Sequence, residues 1–559
     1  MVDAKELAKK QREISVSEFF EKNKHLLGFD SPAKALLMAV KECSDNSLDA
    51  TEEIRVLPEI YVEVKQLAEN RFKVIVEDNG PGIVKEQIPK VFAKLLYGSK
   101  FHRLKSSRGQ QGLGVSAAVL YSQLTTGKPA VITSKTGPKQ KAHHYWLHIN
   151  TAKNEPEIVK EDSIDWNKDH GTRVEVELEG KYQKGKQSID EYLKETAIVN
   201  PHAKIVYVNP LNEKVEYPRV TNELPKEAVE IKPHPYGIEL GVLIKMLKST
   251  ESRTISSFLQ NDFSRISSVT AKEICNKANL DLKLKPEEID LTKSENLFKA
   301  MQNTKIIAPP TNCISPIGEE LLVKGLKKEI NADFYTAVSR SPVVYKGRPF
   351  SIEVSCSYGG DIEKEGQVRL MRFANRVPLL YQQGACAITS SVQETNWRPY
   401  GLQQSSGSMP YGPVILIVHM ASVWVPFTSE SKDAIAHYDD IIKEIKLGLQ
   451  ECGRRLGIFI RKNVKAKEQK EKIDLFEKYI PELASSLNKL TGEKASFLQN
   501  ELRKILQKNM KDLLTNVENK ELKDEIKESF KEENLFSKNK KQIKNKKTIP
   551  KKLIQKKLA

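Results

Sequence analysis

Glycines and carboxylates carry the first chemical signal in this chain. Gly109, Gly112 and Gly114 lie in SSRGQQGLGVSAAVL (residues 106–120), just ahead of an apolar helix start. Backbone N–H groups left free at such a start can cradle phosphate oxygens. The glycine order is neither the dinucleotide-binding G-x-G-x-x-G nor a Walker loop, and G-x-x-x-x-G-K-[ST] occurs nowhere in the 559 residues. Glu42 and Asn46 stand four apart in VKECSDNSLDA (residues 40–50), so on a helix they share a face and can aim together at a cavity. The alternative is a solvated polar stripe. Asp78 ends an apolar run and leads into Asn79, Gly80, Pro81 and Gly82. Two glycines within three residues let a backbone turn tightly and approach a ligand. A fourth element, HGTRVEVEL (170–178), brings Thr172 into a strand. Taken singly, each is more ordinary: an exposed face, a turn, a loop.

The scaffold that must position them is legible from pattern. Val40, Cys43, Leu48 and Ala50 supply the apolar side of a helix around Glu42. YVEVKQL, FKVIVED and TRVEVELEG alternate as strands, so residues 1–230 mix helices with sheet. A Pro-rich joint, IKPHPYG (231–237), opens a short-looped helical stretch to about 306. A second joint, IIAPPTNCISP, opens another mixed α/β region over 307–470, whose final helix is expected from about Asp433 onward. Residues 471–537 read as polar helices and 538–559 as a disordered basic tail. PVILIVHMASVWVPF (413–427) is a buried strand, bracketed by prolines and too short to span a membrane. The expectation is an α+β multidomain protein.

Net charge is +17, but the ten lysines of 538–559 supply +10 of it, so any nucleic-acid site on the body is a local patch. Six scattered cysteines without a CxxC pair argue against a zinc site or a disulfide framework. With no apolar signal core at the N-terminus, the expected setting is cytoplasmic, with no membrane partner.

In this order, Glu/Asn on a helix, D-N-G-P-G, a G-x-x-G-x-G lid and a G-T strand resemble the GHKL ATPases: gyrase, the ninety-kilodalton chaperones, histidine kinases and the MutL repair proteins. RGQQGLGVSAAVLYSQLTTGKP and, far downstream, VPFTSESKDAIA (425–436) are similar to the B subunits of the type IIB DNA topoisomerases, over roughly residues 1–470. The resemblance implies a GHKL (Bergerat) α/β sandwich, a helix–two-turn–helix insert, and an α/β transducer domain with a long C-terminal stalk helix. It implies ATP and Mg²⁺ as cofactors. Asn46 would ligate the Mg²⁺ and Glu42 would polarise the attacking water. Asp78 would accept from the adenine amino group, with Thr172 supporting that pocket through its hydroxyl and Gly82 shaping it. Ser99, Lys100, Arg108, Gly109, Gln110, Gln111, Gly112, Leu113, Gly114 and Val115 would close over the phosphates. Lys432 would reach the γ-phosphate; the plainer alternative is a solvated lysine in a helix cap.

The same resemblance implies double-stranded DNA as a partner. Arg253, Arg265, Lys272 and Lys277 of the helical segment could meet phosphates. Lys346 and Arg348 of YKGRPF, and Arg398 and Tyr400 of NWRPYG, would face the duplex; Pro349 departs from the family's K-G-R-R, and Trp397 is either part of that element or core. No D-x-D metal cluster occurs in the chain, so strand cleavage must come from an A subunit in an A₂B₂ assembly. A second copy would join on ATP binding, each N-terminal segment (KQREISVSEFF) strapping the other. The expected outcome is relaxation of positive and negative supercoils and decatenation. A MutL-like or chaperone ATPase fits less well, because of the TSESK stretch and the helical insert. A DNA-binding scaffold with a dead pocket fits poorly with an intact Glu42.

Overall fold

The computed structural model describes residues 11, 13–100, 103–109 and 112–516. Gln110, Gln111, the basic tail and most of the segment ahead of Glu13 lie outside that set. Helix α1 (Val16–Lys22) is capped by Ser15, which accepts from the Glu18 N–H. It packs on its own chain: Ser15 Oγ donates to the Thr151 carbonyl, and Ser17 Oγ to Asn154 Oδ1 at 2.7 Å. Helix α2 (Pro32–Glu53) starts on the same logic, with Ser31 accepting from the Lys34 N–H and a proline in the first turn, where its missing donor costs nothing. Leu36, Val40, Cys43 and Leu48 are buried, leaving Glu42 and Asn46 off the packed stripe.

Strands β1 (Glu59–Ala68) and β2 (Arg71–Glu77) pair antiparallel, Val62 opposite Val76. There follow α3 (Ile88–Ala93), α4 (Gly114–Thr126), β3 (Ala130–Lys135), β4 (Ala142–Asn150), β5 (Glu155–Ile164), β6 (Gly171–Glu179), α5 (Ile189–Val199), β7 (Lys204–Val208) and β8 (Lys214–Tyr217). They build one sheet in the order β5-β4-β3-β6-β2-β1-β7-β8, with β1 and β7 its parallel pair. Helices α2 and α4 pack on each other and on β6, and one core joins Leu36 and Val119 to Ile60, Val74 and Val176. Burial of this apolar face is the main stabilising term, at roughly 25 cal/mol per Å² removed from water.

Helices α6 (Leu240–Ser249), α7 (Ile255–Asp262), α8 (Ser268–Lys277) and α9 (Leu291–Gln302) have a core of their own around Leu247, Phe258, Ile274 and Leu297. The chain then forms α10 (Glu319–Glu329), β9 (Phe334–Ser339), β10 (Val343–Tyr345), β11 (Arg348–Tyr358), β12 (Arg369–Ala374), β13 (Val377–Pro378), α11 (Ala387–Glu394) and β14 (Val414–Ser422). The central strand β14 is buried along its whole length, pairing antiparallel with β11 and parallel with β12. The long helix α12 (Asp439–Thr491) lays Ile445, Leu449, Cys452 and Leu456 on this second sheet, and α13 (Ala495–Asn516) folds back on it. The two mixed regions share a seam in which Ile198 and Val199 of α5 meet Leu322, Leu326 and Phe373.

Two boundaries differ from expectation. The final helix begins at Asp439, not at Asp433, because Phe427 pairs with Ile435 and the Ala436 N–H donates to the Pro426 carbonyl at 2.7 Å. Those bonds hold residues 427–436 as a closed loop. The expected division at 470/471 falls inside α12, which continues unbroken to Thr491 through Pro481.

Candidate functional site

Helix α2 brings Glu42, Asn46 and Asp49 to one side of the first sheet, and the glycine loop lies over them. Glu42 Oε1 accepts from Lys41 Nζ at 3.1 Å, which leaves Oε2 directed at Gly114, the first residue of α4. No side chain caps that helix start, so its first N–H groups are left without a side-chain partner beside the carboxylate. Burial pushes the Glu42 carboxyl up, but Lys41 and Lys432 outweigh it and hold the group below the ordinary carboxylate range. Glu42 is therefore ionised at neutral pH. Asn46 is exposed, with Gly109 packed above its amide oxygen.

Asp78 closes the other end of the site. Its Oδ1 accepts from the Gly80 N–H at 2.9 Å and the Thr172 N–H at 3.0 Å, and its Oδ2 from Ser47 Oγ at 2.8 Å. Three donors leave one lone pair of this buried carboxylate, on Oδ2, free to accept. Thr172 supports Asp78 through its backbone N–H. Gly82 adopts φ +70°, and a Cβ there would overlap the Lys135 carbonyl, so the loop after Asp78 can press onto β3 only with glycine.

The lid is fastened by charge. Arg108, buried, donates to Asp49 at 2.9 Å, to both Glu52 oxygens at 3.0 and 2.7 Å, and to Asn200 Oδ1 at 2.6 Å. Lys100 pairs with Asp49 at 2.9 Å, while Ser99 is exposed. In this structure the Arg108 and Lys100 side chains are both paired with the C-terminal half of α2. Leu113 and Val115 point into the core, so only their backbone groups face the site. Just ahead of Arg108, Asn375 in the β12–β13 turn takes Ser106 Oγ on Oδ1 at 2.9 Å and donates to the Ser107 carbonyl at 3.1 Å. The same amide makes two bonds to Ser422 at the end of β14. Sequence reasoning missed Asn375, and nothing local marks it.

Lys432 arrives from the second mixed region. It adopts φ +55° and donates from Nζ to the Arg108 carbonyl at 3.4 Å. Burial lowers its pKa, with Glu42 opposing. The helix-cap alternative is excluded, since Lys432 sits in the closed loop ahead of α12.

Residues 32–181 match the family described as histidine kinase-, DNA gyrase B-, and HSP90-like ATPase, and residues 309–472 match the one described as topoisomerase VI B subunit, transducer. The B subunit of the type 2 DNA topoisomerase 6 of Methanococcoides burtonii is 54% identical over 485 residues, covering 87% of this chain and 78% of that protein. This chain belongs to the topoisomerase VI B-subunit family. The corresponding protein of Archaeoglobus fulgidus is 48% identical, covering 86% of this chain and 79% of that protein; that of Natronomonas pharaonis is 36% identical, covering 90% and 86%.

In this topoisomerase VI B-type chain the residues expected at DNA separate into two groups. Arg253, Arg265, Lys272 and Lys346 are exposed, as is Lys277, which pairs with Glu273 at 2.8 Å. Arg398 is exposed too, but its guanidinium is bonded to the Gln404 carbonyl at 2.7 Å. Arg348 and Tyr400 are half-buried. The Arg348 guanidinium lies 4.3 Å over the Trp424 ring, and the Tyr400 ring fills the groove beside Gly453 on α12. Trp397 is core, fully buried with Nε1 donating to the Val392 carbonyl at 2.9 Å. Among the described residues, no helix is long and apolar enough to cross a membrane.

Proposed function

We propose that the space between Glu42, Asn46, the start of α4 and Lys432 is the ATP-hydrolysis site of this protein. The observation that carries the proposal is the Glu42 carboxylate, its Oε2 aimed at an uncapped helix start beside a lysine from the far part of the chain. Phosphoryl transfer asks a protein for positioning and charge neutralisation more than for covalent help. The free lone pair of Asp78 suits the adenine amino group, and Ser47 and Thr172 fix that carboxylate. Glu42 Oε2 takes the proton of the attacking water, while Lys41 holds the other oxygen. The start of α4 closes over the phosphates. Lys432 answers the γ-phosphate. The amide oxygen of Asn46 suits Mg²⁺, which when bound supplies neutralisation of phosphate charge. Arg108, tied to α2, serves as the stem of the lid.

The chain functions within a type 2 DNA topoisomerase. We place it in an A₂B₂ assembly, where ATP joins two B subunits around a second duplex and the A subunits open the first. Exposed Arg253, Arg265, Lys272 and Lys346 are the candidates for duplex contact. The decisive experiment is ATP turnover and nucleotide affinity of Glu42→Gln, with and without DNA and the A subunit. Affinity should persist while turnover falls roughly 10²–10⁴-fold. Turnover within a few-fold of normal would remove Glu42 from this role.

A further inference from the structure

The loop that presents Lys432 is anchored one residue further on. Asp433, buried, lies 2.9 Å from Lys34 Nζ, itself buried in the first turn of α2. The carboxylate also accepts from Ser431 Oγ at 2.7 Å, and Ser431 packs against Gly28. Lys34 has two other neighbours: Asp30 at 3.5 Å, which is half exposed, and the Tyr381 ring at 4.9 Å. This buried pair joins the two mixed regions of the chain, and it sits on the helix that carries Glu42.

We infer that Lys34 is a positioning residue for hydrolysis, holding Asp433 so that the neighbouring Lys432 is delivered into the site. The inference rests on the reading of Lys432 given above. Two observations support it. Lys432 takes a left-handed backbone, φ +55°, which a lysine seldom adopts unless its surroundings impose it. Its flanking residues supply that constraint, because Ser431 and Asp433 are both packed against the first region, while the Lys432 side chain reaches across to the lid carbonyl of Arg108. The geometry also fixes a distance. Lys34 and Glu42 lie about two helical turns apart on α2, so with about 1.5 Å rise per residue that helix serves as a ruler between anchor and reacting group. A switch loop that lost its anchor would keep its fold and lose its aim. Nothing in the Lys34 contacts touches Asp78 or its partners, so adenine recognition is separate from the anchor.

The test uses the full chain and compares Lys34→Met, Lys34→Arg and Lys432→Ala, measuring kcat and KM for ATP and the affinity for ADP. Methionine keeps the length and removes the charge; arginine keeps the charge. Lys34→Met should lower kcat by at least about tenfold, since a misplacement near 1 Å can cost about 10²-fold. ADP affinity should stay within about twofold, the pattern of a group that acts on the transition state rather than on binding. Lys34→Arg should restore kcat to within a few-fold. The inference is overturned if Lys34→Met keeps near-normal kcat, if ADP affinity falls in step with kcat as a folding defect would require, or if arginine fails to rescue. Normal turnover by Lys432→Ala would instead remove the parent assignment. A dead Lys432→Ala beside a normal Lys34→Met would remove only the anchor.

Discussion

A side chain on Gly114 would have to occupy the space that Glu42 Oε2 already fills, whereas a Cβ on Gly109 would stand 3.5 Å from Asn46 Oδ1, an ordinary contact. The two glycines of one lid are thus unequal. Gly114→Ala should turn the carboxylate away from the start of α4 and lower ATP turnover by about 10²-fold, as a misplacement near 1 Å can. Gly109→Ala should cost several-fold less. Steady-state ATP hydrolysis of the two variants decides it, and equal losses would mean that Glu42 is not held where the reaction occurs.

Asp78→Asn separates recognition from folding. The Ser47 hydroxyl can turn to accept from the new amide, and the Gly80 and Thr172 N–H groups keep their oxygen, so the melting temperature should change little. What disappears is a charged acceptor for an amino group, a hydrogen bond of roughly 1.5–3 kcal/mol, so ATP should bind about 10- to 100-fold more weakly. Unchanged affinity with normal stability would move adenine elsewhere.

Much of this site could be read from the chain because its pieces are local. Glu42 and Asn46 share a helix turn, Asp78 and Gly82 share a tight loop, and the alternation of β2 and β6 is visible residue by residue. The glycine lid and the Lys432 loop were legible as motifs. The partners that fix them were not. Arg108 finds Glu52 and Asn200, and Asn375 finds Ser106, across separations where periodicity carries no information. The covering partners of Tyr400 and Arg348, Gly453 of α12 and the Trp424 ring, were hidden for the same reason. The start of α12 was set by a strand-like bridge between Phe427 and Ile435, which outweighed the helical tendency of the residues between Asp433 and Asp439.

Asn375 offers a test of mechanical coupling. Its amide makes four hydrogen bonds, two to the lid stem and two to Ser422, and all four are lost in Asn375→Ala. With net contributions near 1 kcal/mol each and partial rescue by water, stability should fall by roughly 2–3 kcal/mol. Turnover of ATP should survive better than DNA relaxation by the complex with the A subunit, because the site stays built while the lid no longer pulls on β14. Proportional loss of both activities would make Asn375 a fold contact only.

Glu353 gives the second mixed region a pH signature. Its carboxylate accepts from the Ile317 and Gly318 N–H groups, both at 2.7 Å, from Ser339 Oγ at 2.8 Å, and from His419 Nδ1 at 2.8 Å. His419 Nε2 in turn accepts from the Arg376 N–H at 3.0 Å, which places the ring proton on Nδ1 and ties the Asn375–Arg376 turn to the same network. Burial pushes the Glu353 carboxyl up, but His419 and the two backbone donors reverse it, and the group is held down to about 2 from an ordinary 4.5. An acid depressed by folding stabilises the native state above its unfolded pKa. That contribution is complete above about pH 5 and is lost as pH falls from there toward 2. At 1.36 kcal/mol per unit it amounts to roughly 3 kcal/mol. Glu353→Gln cannot reproduce it, since an amide must turn its NH₂ toward a donor. The variant should be less stable at pH 7, and its stability should decline less steeply than that of the unaltered chain between about pH 5 and pH 3. Urea unfolding across that range, followed by far-ultraviolet circular dichroism, checks the difference in slope. Parallel pH profiles for the two proteins would show that Glu353 is not the group whose protonation loosens this region.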